Sequence, residues 1–463
     1  VWENTPLPYA SDMSDSIPTI GSMMQTVGYT TAYFGKWHLS KLPMEQAVGY
    51  AEMATLLGAY GFEHSDQDRE IDGAREGHQW DPVTVASAKT FIRRQQFSKK
   101  PWFASVNLVN PHDIMFFASS EAQRASRWGT FPSPLQKAPS GDLYQQRHQQ
   151  TLDKAFAHTD WNNRPRAHKN FSDIVSGALG TIEWDDQESW QGFQDYYFNC
   201  LQDVDLQITS LLNTLTDTNA WRNTVVVFTS DHGELLGAHH LRDKGPVVYK
   251  ECSNVPMIVV HPQGRQNQTS QALTSHVDLA PSLLEFSGLK PEHIQRAFPD
   301  LKGHSFASSV FVPEEKGTRQ ACLYQWTSMS YLDSEFASAI QPLISEPSFT
   351  SFLDKLLEGD LRIDLMNRGH MRGFYDGRYK FARYFSPRRH RQHYTDAQLF
   401  SECDLELYDT HLDPDECHNL AMNGAKTPAE ISAFNRTLEQ LIVREVGSDI
   451  GLHLPGPSAF WQA

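Results

Sequence analysis

Apolar residues recur along the first two-thirds of the chain in two alternating rhythms, a helical stripe and a short unbroken run. Ile20, Met23, Met24 and Val27 share one helical face, with Ser16 placed to cap it, Pro18 in its first turn and Gly28 to stop it. Tyr29 to Phe34 then reads as a strand. The pairing returns with a helix around Val83 to Phe97 and the strand Trp102 to Val109. It returns again with Tyr197, Leu201, Val204, Ile208, Leu211, Leu212 and Leu215 at helical spacing before Thr224 to Thr229. That last run is nearly all β-branched and apolar, as expected of a strand buried on both faces. Val255 to Val260 predicts another buried strand, and about Asp278 to Phe286 another helix. Such alternation predicts the α/β class, with a large mixed, mainly parallel sheet sandwiched by helices.

Phe117 to Asp185 interrupts the pattern with a polar stretch rich in Trp, Arg, His and Pro, read as an insertion or lid. After about Phe311 the pattern changes. Gly373 to Tyr384 and Leu405 to Tyr408 predict short antiparallel strands. A helix follows with Thr427 as cap, Pro428 first, Glu430 closing a capping box, and Ile431, Phe434, Leu438, Leu441 and Ile442 facing the core, until Gly447. The expected organisation is a large α/β domain over residues 1–310, with the insertion at about 117–185, and a C-terminal α+β subdomain over 311–463.

Composition changes this picture little. The 463 residues are 40% hydrophobic and 21% charged, which excludes disorder as the main state. Forty Lys and Arg against 56 Asp and Glu give −16, so nucleic acid is not expected as a partner, although a local cationic pocket for a small anion stays open. No run approaches the ~20 apolar residues of a membrane span. Five scattered cysteines argue against a disulfide framework, and Cys403 with Cys417 is left open as a pair. Twenty histidines hint at metal or proton chemistry. The chain opens at Val1-Trp2-Glu3-Asn4 with no Met and no leader, which reads as processing or as a piece of something longer. Periplasmic, secreted and cytoplasmic locations, and any oligomeric state, stay open.

Candidate chemistry follows three predicted strands. Tyr33-Phe34 runs into Gly35-Lys36-Trp37-His38, Leu108-Val109 into Asn110-Pro111-His112-Asp113, and Phe228-Thr229 into Ser230-Asp231-His232-Gly233-Glu234. Open α/β sheets bind ligands beyond the carboxyl ends of their strands, so the recurrence is the signal. Asp231 and His232 offer an oxygen and a nitrogen suited to a divalent cation, or equally a helix cap beside a surface histidine. Lys36, His38, His112 and Lys244 would give positive charge and donors to a tetrahedral oxyanion. Taken singly, each is more often solvated surface.

These motifs resemble the sulfatase family, within the alkaline-phosphatase-like superfamily. Gly28 to Leu39 (Gly-Tyr-Thr-Thr-Ala-Tyr-Phe-Gly-Lys-Trp-His-Leu) resembles its second signature, and Val109 to Asp113 its Asn-Pro-His segment. Ser230 to Gly237, with Lys244-Gly245-Pro246 and Tyr249-Lys250-Glu251, resembles its metal and sulfate segment. His276 to Leu284, Arg372 to Arg383, Glu406 to Asp409 and Asp413-Pro414 follow in the family's order. The resemblance implies a sulfuric ester hydrolase that cleaves a sulfate monoester. Asp231 and His232 would be metal ligands for one divalent cation, calcium first, with magnesium or manganese as alternatives. Lys36 and Lys244 would hold sulfate oxygens, His38 would meet the nucleophile, and His112 would stand near the leaving oxygen as general acid. His at 232, where many arylsulfatases have Asn, is closer to the choline-sulfatase and phosphonate-monoester-hydrolase branch. A small sulfated substrate is implied, a sugar, aryl or alkyl sulfate.

The family also carries an acidic metal pair and a C-x-P-x-R or S-x-P-x-R segment whose Cys or Ser becomes formylglycine. Neither occurs here: Ser386-Pro387-Arg388-Arg389 has the wrong spacing and Ser345-Glu346-Pro347-Ser348-Phe349 lacks the Arg. The formylglycine nucleophile is therefore expected upstream of Val1. Phosphonate monoester or phosphodiester hydrolysis on the same scaffold is the chemical alternative, and a truncated homologue that only binds a sulfated ligand is the other. Arg388, Arg389, His390 and Arg391 could meet an anionic substrate or simply be solvated. Trp128, Trp161, Trp184 and Trp190 could line a site or pack. Asn170, Asn267 and Asn435 begin sequons. The 463 residues alone are predicted to bind metal weakly and to turn over nothing, and sulfate release by the isolated chain would overturn that.

Overall fold

The computed structural model describes residues 13–40, 48–71, 73–128, 135–149, 154–157, 160–328, 331–344, 363–422 and 424–449. Val1 to Pro8 and Ser345 to Phe349 lie outside them. The chain divides into two compact units, one of Val1–Gln150, Gly177–Thr224 and Ile344–Phe349, the other of Thr151–Ser176, Val225–Leu343 and Thr350–Ala463.

The first unit begins with α1 (Ile20–Thr26) and β1 (Thr30–Gly35). The cap is Thr19, three residues beyond the expected Ser16, because Thr19 and Ser22 exchange side-chain and backbone hydrogen bonds at 3.2 and 2.9 Å. After α2 (Tyr50–Ala59), α3 (Glu76–Gln95) starts well before the expected Val83. Pro82 sits inside it and conceals the early start from a pattern reading. β2 (Trp102–Asn107) runs parallel to β1, with Thr30 beside Trp102 and Gly35 beside Asn107. The apolar stripe predicted from Tyr197 lies on α4 (Gln187–Asp217), capped by Asp186. Tyr33, Trp37, Met53, Leu57, Tyr60 and Phe62 form a core between the first strand and α2.

The second unit contains β3 (Val226–Thr229) and β4 (Met257–Val260), paired antiparallel, followed by α5 (Leu279–Phe286). The strands of the α/β part thus include one parallel and one antiparallel ladder. Phe228, Ile258 and Val260 are exposed, so this ladder is not covered on both faces as its composition predicts; no described element lies over those side chains. A four-stranded antiparallel sheet follows in the order β5 (Cys322–Trp326), β6 (His370–Tyr375), β7 (Tyr379–Phe385), β8 (Asp404–Asp409). Its first strand escapes the sequence reading. Phe374, Phe381, Phe385 and Leu407 of the sheet pack against Ile431, Leu438, Leu441 and Ile442 of α6 (Pro428–Glu445). That helix has the expected box, with Thr427 and Glu430 bonded both ways. None of the five cysteines forms a disulfide, so Cys403 and Cys417 are not paired with each other.

Buried ion pairs tie this unit together. Arg319 binds both carboxylate oxygens of Asp278 and, at 2.7 Å, Glu445 of α6. Arg372 grips Asp449 at 2.9 and 3.0 Å. Removing one member of such a pair strands the other charge away from water. Arg319→Met should therefore lower the unfolding free energy by about 3–5 kcal/mol in urea titration; a change under ~1 kcal/mol would show that solvent reaches Asp278.

Candidate active site

Lys36, His38 and His112 belong to the first unit and Asp231, His232 and Lys244 to the second. In the first unit, β1 and β2 are parallel neighbours whose last residues pair, Gly35 with Asn107. The turns after both strands therefore leave the same end of the ladder. Gly35 has φ +90, and a Cβ there would lie 1.9 Å from the Asn107 carbonyl oxygen, so no side chain fits. Lys36 then donates its N–H to that oxygen at 3.0 Å. His38 is nearly buried and takes a left-handed φ of 47. Buried Glu70 holds this turn, accepting the N–H groups of Trp37, His38 and Ile71 at 3.0, 2.8 and 3.1 Å. Trp37 packs edge-on against Tyr33 and donates its indole N–H to Ser40.

His112 follows β2 on a loop fastened to α3 from both sides. Asp81 accepts the N–H groups of Val109 and Asn110 at 2.7 and 3.0 Å. Asp113 accepts those of Gly77 and His78, both at 3.0 Å. Burial drives the Asp81 carboxyl up to about 8 and Asp113 up to about 6, against the opposing pull of those N–H groups. Asp81 and Glu70 do not stand out in the sequence, and Asp113 does so only as part of the His112 segment, since their bonds span about thirty residues.

In the second unit, β3 ends at Thr229 and the chain turns through Ser230 into Asp231 and His232. His232 Nδ1 lies 2.9 Å from the Gly233 carbonyl oxygen, which can only accept, so Nδ1 carries the proton. The lone pair is left on Nε2, 3.4 Å from Asp231 Oδ2. Burial and nearby Lys244 lower the His232 pKa and keep the ring neutral. A neutral nitrogen beside an exposed carboxylate suits two ligands of a divalent cation. Among the described residues no group of three or more His, Cys, Asp or Glu side chains could hold a metal, so further ligands are not supplied there.

Lys244 is buried with its ammonium 3.1 Å from Asp243. Burial lowers its pKa, but Asp243 and Glu234 outweigh that and the net shift is upward, so it stays charged. Burial and the Asp243 charge push Glu234 up to about 7. Gly233 and Gly245 give close approaches, since a Cβ would meet the Glu251 carbonyl at 1.9 Å and the Phe171 ring at 2.3 Å. His276, from another matched segment, reaches the Ser230 carbonyl at 2.8 Å.

The remaining candidates divide. Trp184 stacks on buried Trp190 at 4.6 Å, and Trp161 meets Arg164, so these rings pack. Trp128 lies where a Cβ on Gly177 would overlap its ring. Arg391 pairs with Glu402 and His390 with the Asp449 carbonyl, leaving Arg388 and Arg389 exposed. Of the sequons, Asn435 is buried and bonded to Arg383, whereas Asn267 is on an exposed turn.

A family model described as Sulfatase matches residues 2–289. The N-acetylglucosamine-6-O-sulfatase of Bacteroides thetaiotaomicron is 26% identical over 332 residues, 62% of this chain. The chain spans 57% of that relative's length. Among solved structures, a 2-O GAG sulfatase superposes with a TM-score of 0.62 at 20% identity, covering 99% of this chain and 81% of its own. The phosphonate monoester hydrolase of Silicibacter pomeroyi gives 0.58 at 16%, covering 94% and 82%. At those identities the likeness is one of fold: mixed α/β with a small antiparallel C-terminal sheet.

The two raised aspartates have a thermodynamic consequence. Each holds a proton in the folded state above the unfolded value of about 3.9. The associated stability is complete below that value and is lost as pH rises through about 6 for Asp113 and about 8 for Asp81. Urea unfolding between about pH 5 and 9 should show falling stability, and Asp81→Asn should flatten the upper part. Stability that holds level across this range in the parent protein would contradict the assignment.

Proposed function

Because this chain belongs to the sulfatase family, we propose that it carries most of the machinery of a sulfuric ester hydrolase acting on a sulfated sugar. The observation that bears most weight is the first unit's parallel ladder, which presents Lys36, His38 and His112 from adjoining strand ends. In this reading the Lys36 ammonium receives sulfate oxygens, whose charge grows as the ester bond breaks. His38 would exchange a proton with the nucleophile, a formylglycine by the family resemblance. His112 donates a proton to the departing alcohol oxygen, which leaves poorly as an alkoxide.

By the family resemblance, Lys244, a buried cation, would bind sulfate oxygens and the Asp231–His232 pair a metal. Asp231 Oδ2 and His232 Nε2 would hold a divalent cation, calcium first by the family resemblance. When bound, that ion lowers the energy of negative charge gathered on the sulfuryl group. The sugar preference follows the N-acetylglucosamine-6-O-sulfatase relative.

The complete protein, offered a sugar sulfate, an aryl sulfate and a phosphonate monoester, should release sulfate from the sugar fastest. His112→Ala should lower that kcat by about 10²–10⁴-fold. Hydrolysis of the phosphonate alone would replace this reading with its chemical rival. In calorimetric titration, Asp231→Asn and His232→Ala should each weaken calcium binding at least about tenfold; undiminished affinity would remove both from the ligand set.

A further inference from the structure

Helix α3 begins without a cap of its own. Arg75, at the capping position, has a left-handed φ of 62, and its side chain makes no capping bond. The first-turn N–H groups of Gly77 and His78 are instead taken, one by each oxygen, by the carboxylate of Asp113. Asp81, the sixth residue of the helix, answers in the opposite direction by accepting the N–H groups of Val109 and Asn110. Four N–H-to-carboxylate bonds thus run between one helix end and one loop, two each way. They anchor residues 109, 110 and 113 and leave only Pro111 and His112 between the anchor points. The His112 N–H itself closes on the Val109 carbonyl at 2.9 Å. Both carboxylates are almost wholly buried. The contact is also close: a Cβ on Gly77 would lie 2.5 Å from Asn110 Cγ, so only glycine lets the loop descend this far.

A single capping residue on the helix would satisfy α3 more simply. The arrangement found spends two buried carboxylates on a loop whose one chemical side chain is His112. Resting on the hydrolase reading above, we propose that Asp81 and Asp113 are positioning residues that act through His112, a reciprocal clasp that sets its imidazole for proton delivery to the leaving group. Each carboxylate is held at both oxygens, so the loop can neither rotate about one bond nor slide along the helix. General acid catalysis demands such placement, since a misplacement of ~1 Å costs on the order of 10²-fold in rate.

The test compares Asp113→Asn and Asp81→Asn in the complete protein on two substrates, a sugar sulfate with a poor leaving group and 4-nitrophenyl sulfate with a good one. A residue acting through the acid should matter only where the acid matters. The expected result is a fall in kcat of about 10²-fold on the sugar sulfate with KM nearly unchanged, and less than about threefold on 4-nitrophenyl sulfate. In a His112→Ala background neither change should lower the rate further. Equal losses on both substrates, or losses that multiply with His112→Ala, would overturn the proposal. Circular dichroism decides which variants fold; if Asp81→Asn does not, Asp113→Asn decides alone, and if neither folds the clasp is structural only. Should the parent protein cleave no sulfate ester, the hydrolase reading falls separately. The clasp is then judged by the crystal structure of Asp113→Asn, in which an unmoved His112 ring would sink it.

Discussion

Backbone N–H groups that leave a strand or open a helix inside a protein must find an acceptor, and here carboxylates take that duty repeatedly. Glu70 gathers three of them around the turn of Lys36 and His38. Asp81 and Asp113 each take two around His112. In the second unit Glu234 receives those of Leu236 and Asp243, Asp278 those of Ser275 and His304, and Glu416 that of Lys250. The acidic balance of the chain is thus in part an internal matter: some carboxylates serve as fixed acceptors for irregular backbone. A carboxyl group offers two acceptor oxygens on one short side chain, which suits loops that have no ladder to stiffen them.

The second unit adds a different use of the same groups. Glu406 is fully buried and accepts the hydroxyls of Tyr384 and Tyr408 at 2.7 and 2.8 Å, with His168 at 3.6 Å. Burial pushes its pKa up, but His168 and the two hydroxyls outweigh that and hold it below the ordinary value. Tyr249, stacked on His239 at 3.6 Å, meets Tyr408 at the edge of the same cluster. Lys380 and Glu416 make another buried pair at 2.6 Å. A core so rich in polar partners tolerates few substitutions, because each loss leaves another group unsatisfied.

What the sequence disclosed follows from the range of the signal. Helix α6 was legible in full because its cap, first-turn proline and stripe lie within one segment. The strand-end residues Lys36, His38, His112, Asp231 and His232 were legible because polar groups stand directly after apolar runs. The residues that fix them were not: Glu70 works 32 positions from His38, and Asp113 35 from His78. The start of α3 was missed because Pro82 interrupts its pattern and its cap arrives from a distant loop. Strand β5 was missed as a short run in an irregular stretch, and the exposure of Phe228 and Ile258 cannot be read from a composition that looks buried. The paired motif segments carried the family, but not the carboxylates that position them.

A helix that borrows its cap also borrows its timing. The interior of α3 can form from its own neighbours in sequence, but the Gly77 and His78 N–H groups of its opening turn are taken by a distant residue. That turn completes only when β2 has paired and delivered Asp113, a contact across 36 residues for Gly77. Contacts of such separation form late because the intervening chain must first be ordered. The opening turn of α3 and the His112 loop therefore mature as one cooperative step. A chain halted before it would keep most of its secondary structure and lack a set imidazole.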